Sequence, residues 1–181
     1  MPFTMIAGLG HMAIIIRKAG KGDAKGVARL WDDGFERGYF GYTGTNRRRT
    51  VKDIRRFEEV YAKNKRNEFV FIAIDSVNGK VVGSCAFFAK KEGRTRHRGE
   101  MGWAVHLDYS RQGIATRLVK RTLEEAKRRG FKKAEAEAAV KNIGSVRLAK
   151  KCGFKIEGRK KRGLLLDSGR YADTYVFGKV L

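Results

Sequence analysis

The chain has 181 residues, 42% of them hydrophobic, which is enough for one well-buried core and requires no second domain. No stretch approaches the roughly 18 apolar residues that a membrane helix needs, and the glycine-interrupted start is a poor signal peptide, so we expect a cytoplasmic protein without a membrane partner. The 41 Lys and Arg against 19 Asp and Glu give a net charge of +22, which favours anionic ligands or partners. A basic surface that is only solvated is the alternative.

The N-terminal part of the chain predicts an extension, a strand and a helix. Residues 1–12 show no periodicity and are expected to be a flexible extension, so we place the single folded domain at residues 13–181. The β-branched run Ile14–Ile16 predicts the first strand. Apolar residues then recur at helical spacing after Asp23, which can cap a helix that ends near Arg37.

The next part of the chain predicts a second helix and a β-hairpin. The segment 38–49 is rich in Gly, Tyr and Arg and is expected to be a loop or a broken helix, and Thr50 is expected to cap the helix after it. Two apolar runs, Phe69–Ile74 and Lys80–Phe88, predict strands. The dipeptide Asn78-Gly79 between them favours a tight hairpin turn.

The remaining elements complete a mixed fold. After an exposed turn at Lys90–Arg98, the sequence predicts strand Glu100–Leu107, helix Gly113–Arg129, strand Ala134–Val140, helix Ser145–Cys152 and the strands Lys155–Leu166 and Tyr171–Val180. The order of elements is strand, two helices, three strands, helix, strand, helix and two strands. This order predicts an α/β fold with a mixed, mostly antiparallel sheet flanked by helices.

The turn before the third predicted helix has the character of an anion site. Gly113 and Ala115 carry little side-chain bulk, so a ligand can approach the backbone closely. The amides of a first helical turn have no partner within the helix, and they lie at the positive end of its dipole. A diphosphate can bind there, with Arg111, Arg117 and Lys120 neutralising its remaining charge.

This turn resembles the coenzyme A motif of the GNAT superfamily of N-acetyltransferases, Gln/Arg-x-x-Gly-x-Gly/Ala. Gly113 and Ala115 match its last two fixed positions, whereas Ser110 stands where Gln or Arg is usual. A phosphate-binding Walker loop would need Lys-Ser/Thr after the last glycine, and that pair is absent. The resemblance implies acetyl-CoA as the cofactor, held by Arg111, Gln112, Gly113, Ile114, Ala115 and Thr116.

A second segment, residues 140–154, resembles the Asn-x-x-Ala/Ser…Gly-Phe segment of the same superfamily. The resemblance implies that Asn142 and Ser145 contact the cofactor, and that the fifth strand splays from the fourth to admit its pantetheine arm. The alternative is that Asn142 only ends a strand and caps a helix, with Ser145 a small packed residue. The pattern Gly169…Asp173…Tyr175…Phe177 is also similar to the last hairpin of the family.

The resemblance also suggests catalytic groups. It places a backbone amide that polarises the thioester carbonyl at Val105, with Leu107 near the cofactor, and it places the general base at Glu100. The alternative for Glu100 is an ordinary ion pair with Arg96, Arg98 or Lys91. Glu137 is a second candidate base, and His106 is expected to be packed or at the surface.

The usual proton donor of the family is missing, because Ala149 occupies the position where many relatives have tyrosine. Tyr175, Tyr171 and Cys152 are the candidate replacements, and water is the alternative. Cys85 and Cys152 have no metal-like spacing, so we expect two buried reduced thiols and no metal.

The resemblance places acceptor recognition in segments that are here basic and aromatic, Phe35–Arg49 and Lys160–Tyr171. A basic lining repels polyamines and favours a primary amine on a protein, acidic or ribosome-associated, attacked directly in a ternary complex. The alternatives are a small-molecule amine acetyltransferase and a basic RNA- or ribosome-associated binding protein with little turnover. We expect a monomer or a homodimer.

Overall fold

A computed structural model describes residues 13–36, 49–63, 67–90, 93–166 and 168–181. The extension 1–12, most of the segment 38–49, and Asp167 lie outside the described residues. The strands are β1 Ile14–Lys18, β2 Glu68–Asp75, β3 Val81–Ala89, β4 Arg98–Val105, β5 Lys133–Ala139, β6 Lys155–Leu165 and β7 Tyr171–Val180. The helices are α1 Ala24–Glu36, α2 Val51–Lys63, α3 Ile114–Arg128 and α4 Ile143–Lys151.

The seven described strands form one sheet in the order β1-β2-β3-β4-β5-β7-β6. All neighbouring strands are antiparallel except β4 and β5, which are parallel. The β4–β5 pairing extends only from Arg98↔Lys133 to Met101↔Ala136, whereas β5 pairs with β7 along its whole length. The sheet therefore splits between β4 and β5 beyond Met101.

The helices cover both faces of the sheet because side chains alternate along each strand. On one face α1 and α2 bury Val27, Leu30 and Tyr61 against Val70 and Ile72 of β2. On the other face α3 and α4 pack on a larger core, which includes Leu118, Val119, Leu123, Ala149, Phe69, Phe71, Phe87 and Phe177. The predicted α/β fold with a mixed, mostly antiparallel sheet is confirmed.

Local capping explains where several elements begin. Thr50 Oγ1 accepts a hydrogen bond from Asp53 N at 3.3 Å, and Asp53 accepts one from Thr50 N at 2.8 Å, so the predicted start of α2 is confirmed as a capping box. The predicted boundary of α4 is wrong by two residues. Asn142 Oδ1 accepts from Ser145 N at 3.1 Å, and the helix therefore begins at Ile143.

The predicted end of β4 is also wrong. The strand ends at Val105, and Leu107 begins a short 3₁₀ turn, Leu107–Tyr109. This turn leads directly to the start of α3. None of the described helices has the length and apolar character required to cross a bilayer.

Candidate active site

The loop before α3 leaves the first amides of the helix open. Gly113 adopts a left-handed conformation with φ 75° and makes no side-chain capping hydrogen bond. Arg111 is also left-handed, with φ 61°, which costs a residue with a side chain about 1–3 kcal/mol. A backbone in which residues with positive and negative φ alternate directs successive N–H groups toward a common point and can bind an anion.

A buried carboxylate anchors this loop to the β2–β3 turn. Tyr109 O–H donates to Asp75 Oδ2 at 2.7 Å, and Asp75 also accepts from Val77 N at 2.9 Å and Asn78 Nδ2 at 3.0 Å. The hydrogen bond from Tyr109, followed by that from Val77, lowers the pKa of Asp75. Sequence reasoning missed this contact because its partners are 34 residues apart along the chain.

His106 is packed beneath the same loop and is only 2% exposed. Its Nε2 lies 3.2 Å from Asp33 Oδ2 of α1 and 2.7 Å from Lys80 Nζ. Its Nδ1 accepts from Asp108 N at 3.3 Å. The histidine therefore connects α1 to the 3₁₀ turn, and it does not line the cavity described below.

Every second backbone amide of β4 points toward the split in the sheet. His106 N donates to Val82 O, so residues of the same parity in β4 direct their amides toward β3. Trp103 and Val105 have the opposite parity, and their amides point toward β5, which no longer pairs there. The structure thus brings the Val105 amide to the split. Trp103 was missed, although strand alternation alone could have indicated it.

One cavity of about 1370 Å³ joins the split to the start of α3 and to the α1–α2 face. This volume exceeds the roughly 300–1,000 Å³ of most small-ligand pockets. The predicted site residues in its lining are Glu100, Val105, Leu107, Arg111, Gly113, Ile114, Ala115, Thr116, Asn142 and Ser145. Ser110 also contributes to the lining.

Three predicted phosphate-binding residues do not line this cavity. Gln112 is exposed beside it, and Lys120 lies outside it on α3. Arg117 Nη2 instead donates to Ile14 O of β1 at 3.3 Å. The structure adds two cations from α4, Arg147 and Lys151, which share one helical face because they are four residues apart.

Three carboxylates project from β4 and β5 toward the α1–α2 face of the cavity, and each is paired with a cation. The Glu100 side chain is 60% exposed and accepts a hydrogen bond from Lys90. The predicted partners Arg96 and Arg98 are therefore wrong, and the third predicted partner, Lys91, lies outside the described residues. Glu135, the register partner of Glu100, accepts from Arg98 at 2.7 Å.

Glu137 is engaged at both oxygens. Its Oε1 accepts from Thr174 Oγ1 at 2.5 Å, and its Oε2 accepts from Lys160 Nζ at 2.6 Å. By contrast, the hydrogen bond from Lys90 to Glu100 uses only Oε1. Glu100 is therefore the more accessible of the two predicted bases.

The candidate proton donors lie away from the cavity. Tyr175 packs in the core on the α3–α4 side, Tyr171 is 59% exposed in the last hairpin, and Cys152 is buried. Burial raises the pKa of the Cys152 thiol, and it raises that of Cys85 to about 12. Ala149 is fully buried in the core. Both cysteines are free thiols, as predicted.

The α1–α2 side of the cavity has an aromatic wall formed by Trp31, Phe57 and Tyr61. Arg49 lies 5.7 Å above the Trp31 ring. The predicted acceptor residues Tyr39, Phe40, Tyr42, Arg47 and Arg48 lie outside the described residues. The described cations on this side are Arg49, Arg98 and Lys160, beside the three glutamates. The expected basic lining stays a prediction, because Arg47 and Arg48 lie outside the described residues.

The chain belongs to the acetyltransferase (GNAT) family, whose profile matches residues 25–154. The chain is 28% identical over 105 residues to the L-amino acid N-acetyltransferase AaaT of Escherichia coli strain K12. That alignment covers 58% of this chain and 64% of that relative, just under two thirds.

Two solved structures show how closely the fold follows this family. The acetyltransferase of the GNAT family from Streptococcus pneumoniae superposes with a TM-score of 0.80 at 24% identity, covering 93% of this chain and all of that one. The yncA protein from Salmonella typhimurium, solved with its cofactor acetyl-CoA, superposes with a TM-score of 0.80 at 21% identity. This match covers 93% of this chain and 94% of that one. At these identities the structures establish the fold, and the predicted family and fold are confirmed.

Proposed function

We propose that this protein transfers the acetyl group of acetyl-CoA to a primary amine by direct attack in a ternary complex. The observation that carries the proposal is the split between β4 and β5 beyond Met101↔Ala136, which opens in front of the uncapped start of α3. Both features face the same cavity. A diphosphate fits the open amides, and the split leaves room for an extended arm beside β4.

The residues that hold the cofactor come from three elements. The amides from Gly113 to Thr116 bind the diphosphate, and Arg111, Arg147 and Lys151 neutralise its charge. Asn142 and Ser145 contact the pantetheine arm from the start of α4. Asn142 does so while capping the helix, because a carboxamide also has N–H groups to donate.

The reaction needs a neutral amine and a polarised carbonyl. Acetyl-CoA supplies an activated acyl group, and the Val105 amide, which points into the split, is positioned to donate to its carbonyl oxygen. Glu100 accepts the proton of the amine, directly or through water, since it lies in the lining and its described hydrogen bond uses only one carboxylate oxygen. We assign protonation of the leaving sulfur to water, because Tyr175, Tyr171 and Cys152 do not line the cavity.

We propose a protein amine as the acceptor. The cavity is large and opens beside the α1–α2 face, where a chain terminus can enter. A free amino acid is the second candidate, favoured by the similarity to an L-amino acid N-acetyltransferase. The glutamates of the described lining would bind the amine of the amino acid, and its cations would bind the carboxylate.

The test is release of free thiol from acetyl-CoA, with mass spectrometry of the acetylated product. Peptides with free N-terminal or lysine amines and a set of amino acids serve as acceptors in parallel, and labelled cell lysate serves as an unbiased source. Acetylated peptide supports the proposal, and acetylated amino acid alone supports the second candidate. If acetyl-CoA binds but no acceptor releases thiol above the rate of hydrolysis, the protein is a binding module on this fold.

A further inference from the structure

The two helical layers of the protein carry very different charge. Helix α1 contains two basic and three acidic residues, and α2 contains four basic and three acidic residues, so the pair has no net charge. Helix α3 contains five basic and two acidic residues, and α4 contains three basic and no acidic residues, so this pair has a net charge of +6. Of the two helical layers, the α3–α4 layer therefore carries the excess positive charge.

The charge on this face is continuous around α4. Residues 138–156 contain no Asp or Glu. The α4 basic surface consists of Lys120, Lys141, Arg147, Lys150, Lys151 and Lys179. Lys120, Lys151 and Lys179 converge near Cys152, where burial raises the pKa of the thiol and their charges partly offset that rise. Among the described residues, none of these six cations forms an ion pair with a carboxylate.

The acetyl-CoA site does not account for this surface. Of the six cations, only Arg147 and Lys151 line the cavity, and the other four lie outside it. The nine residues of α4 extend about 13 Å, and along that length a nucleic-acid duplex presents about eight phosphate charges. An extended polyanion can therefore engage cations that one cofactor cannot reach.

The side chains around α4 favour a duplex backbone over other polyanions. The aromatic residue of this segment, Phe154, is 3% exposed, so no ring is available to stack on single-stranded bases. The exposed apolar side chains, Ile143 and Ile156, provide no aromatic anchor of the kind that protein interfaces use. Contacts to phosphates need neither feature and carry no base specificity.

We propose that the α4 basic surface binds the phosphate backbone of a nucleic-acid duplex without base specificity. The proposal does not rest on the proposed acetyl transfer, and Arg147 and Lys151 belong to both sites. It is measured by fluorescence anisotropy with 20-base-pair RNA and DNA duplexes, each in two unrelated sequences, between 50 and 200 mM KCl.

The variant K141Q/K150Q/K179Q removes three cations of this surface that lie outside the cavity. Its matched control is K25Q/K52Q/R55Q, which removes three exposed cations from α1 and α2 and leaves the same net charge. The α4 variant should bind duplex at least about tenfold more weakly at 100 mM salt. Its plot of log K against log salt should be shallower by about one per lysine, about three in all. The control variant should bind like the wild type, and acetyl transfer should be unchanged in both.

Comparing the RNA and DNA duplexes shows which one the protein prefers, and a preference for either supports the proposal. Equal losses in the two variants would show that total charge, and not this surface, drives binding. Tighter binding of a single strand of equal length, or equal binding of polyglutamate, would overturn the assignment to a duplex. Complete displacement of the duplex by saturating coenzyme A would place the binding in the cavity.

Discussion

Replacing Gly113 with alanine tests whether the open amides at the start of α3 hold the cofactor. A Cβ at this position meets no atom within 4 Å, so no clash inside the protein is expected. The cost to folding comes from φ 75°, since a left-handed residue with a side chain loses about 1–2 kcal/mol. For a chain of this length that corresponds to a fall in Tm of roughly 2–8 °C.

Gly79→Ala is the matched control. Gly79 has φ 69°, its Cβ would likewise meet nothing within 4 Å, and it lies in the β2–β3 turn outside the cavity. The two variants should therefore lose similar stability. Only Gly113→Ala introduces a methyl group where the diphosphate is proposed to bind. Loss of one hydrogen bond to a charged group costs about 1.5–3 kcal/mol, which is about a 10- to 150-fold rise in Kd.

Calorimetric titration of acetyl-CoA into the wild type and both variants separates the two effects, with thermal unfolding measured on the same samples. The expected result is a similar fall in Tm for both variants and a weaker Kd for Gly113→Ala alone. A wild-type Kd in Gly113→Ala would show that the start of α3 does not hold the diphosphate. An equal rise in Kd in both variants would show that loss of stability, and not the site, weakens binding.

Three further predictions concern single groups. Glu100→Gln should lower kcat about 100-fold or more and leave the KM for acetyl-CoA unchanged, and an unaltered kcat would exclude Glu100 as the base. The hydrogen bond from Arg128 lowers the pKa of Glu125 to about 2, so its stabilisation is complete above about pH 4.5 and is lost as the pH falls toward 2. In Glu125→Gln the urea midpoint should therefore be lower at pH 7 and should change less between pH 5 and 2. Cys85 and Cys152 should react with a thiol reagent at pH 8 only after denaturation, because burial raises the pKa of both thiols.

Local signals predicted the elements well because they act over a few residues. The capping box at Thr50 and the turn at Asn78-Gly79 involve neighbours in the chain, so the sequence contains the whole interaction. Gly113 was recognised from its small size and its place in the motif, whereas its left-handed conformation was not predicted. The end of β4 was misjudged, because the apolar run continues past Val105 while the backbone turns into a 3₁₀ turn.

The candidate proton donors show where such signals fail. Tyr175, Tyr171 and Cys152 have suitable chemistry, yet strand register and helix packing direct all three away from the cavity. The ion pair of Glu100 with Lys90 joins the ends of two adjacent strands, and the sequence does not specify which basic residue comes nearest. The roles of Asn142 and Ser145, the cytoplasmic location, the single domain and the oligomeric state stay predictions.

The sequence by itself determined the order of the elements, the family motif around Gly113 and the excess of positive charge, since these follow from residue types at short spacing. The tertiary structure alone decided where β4 and β5 separate, that Tyr109 is held by Asp75, and that the basic helices α3 and α4 lie on one face of the sheet and the neutral pair α1 and α2 on the other. Each of these depends on residues that are distant in the chain and become neighbours only when strands pair and helices pack on opposite faces of one sheet.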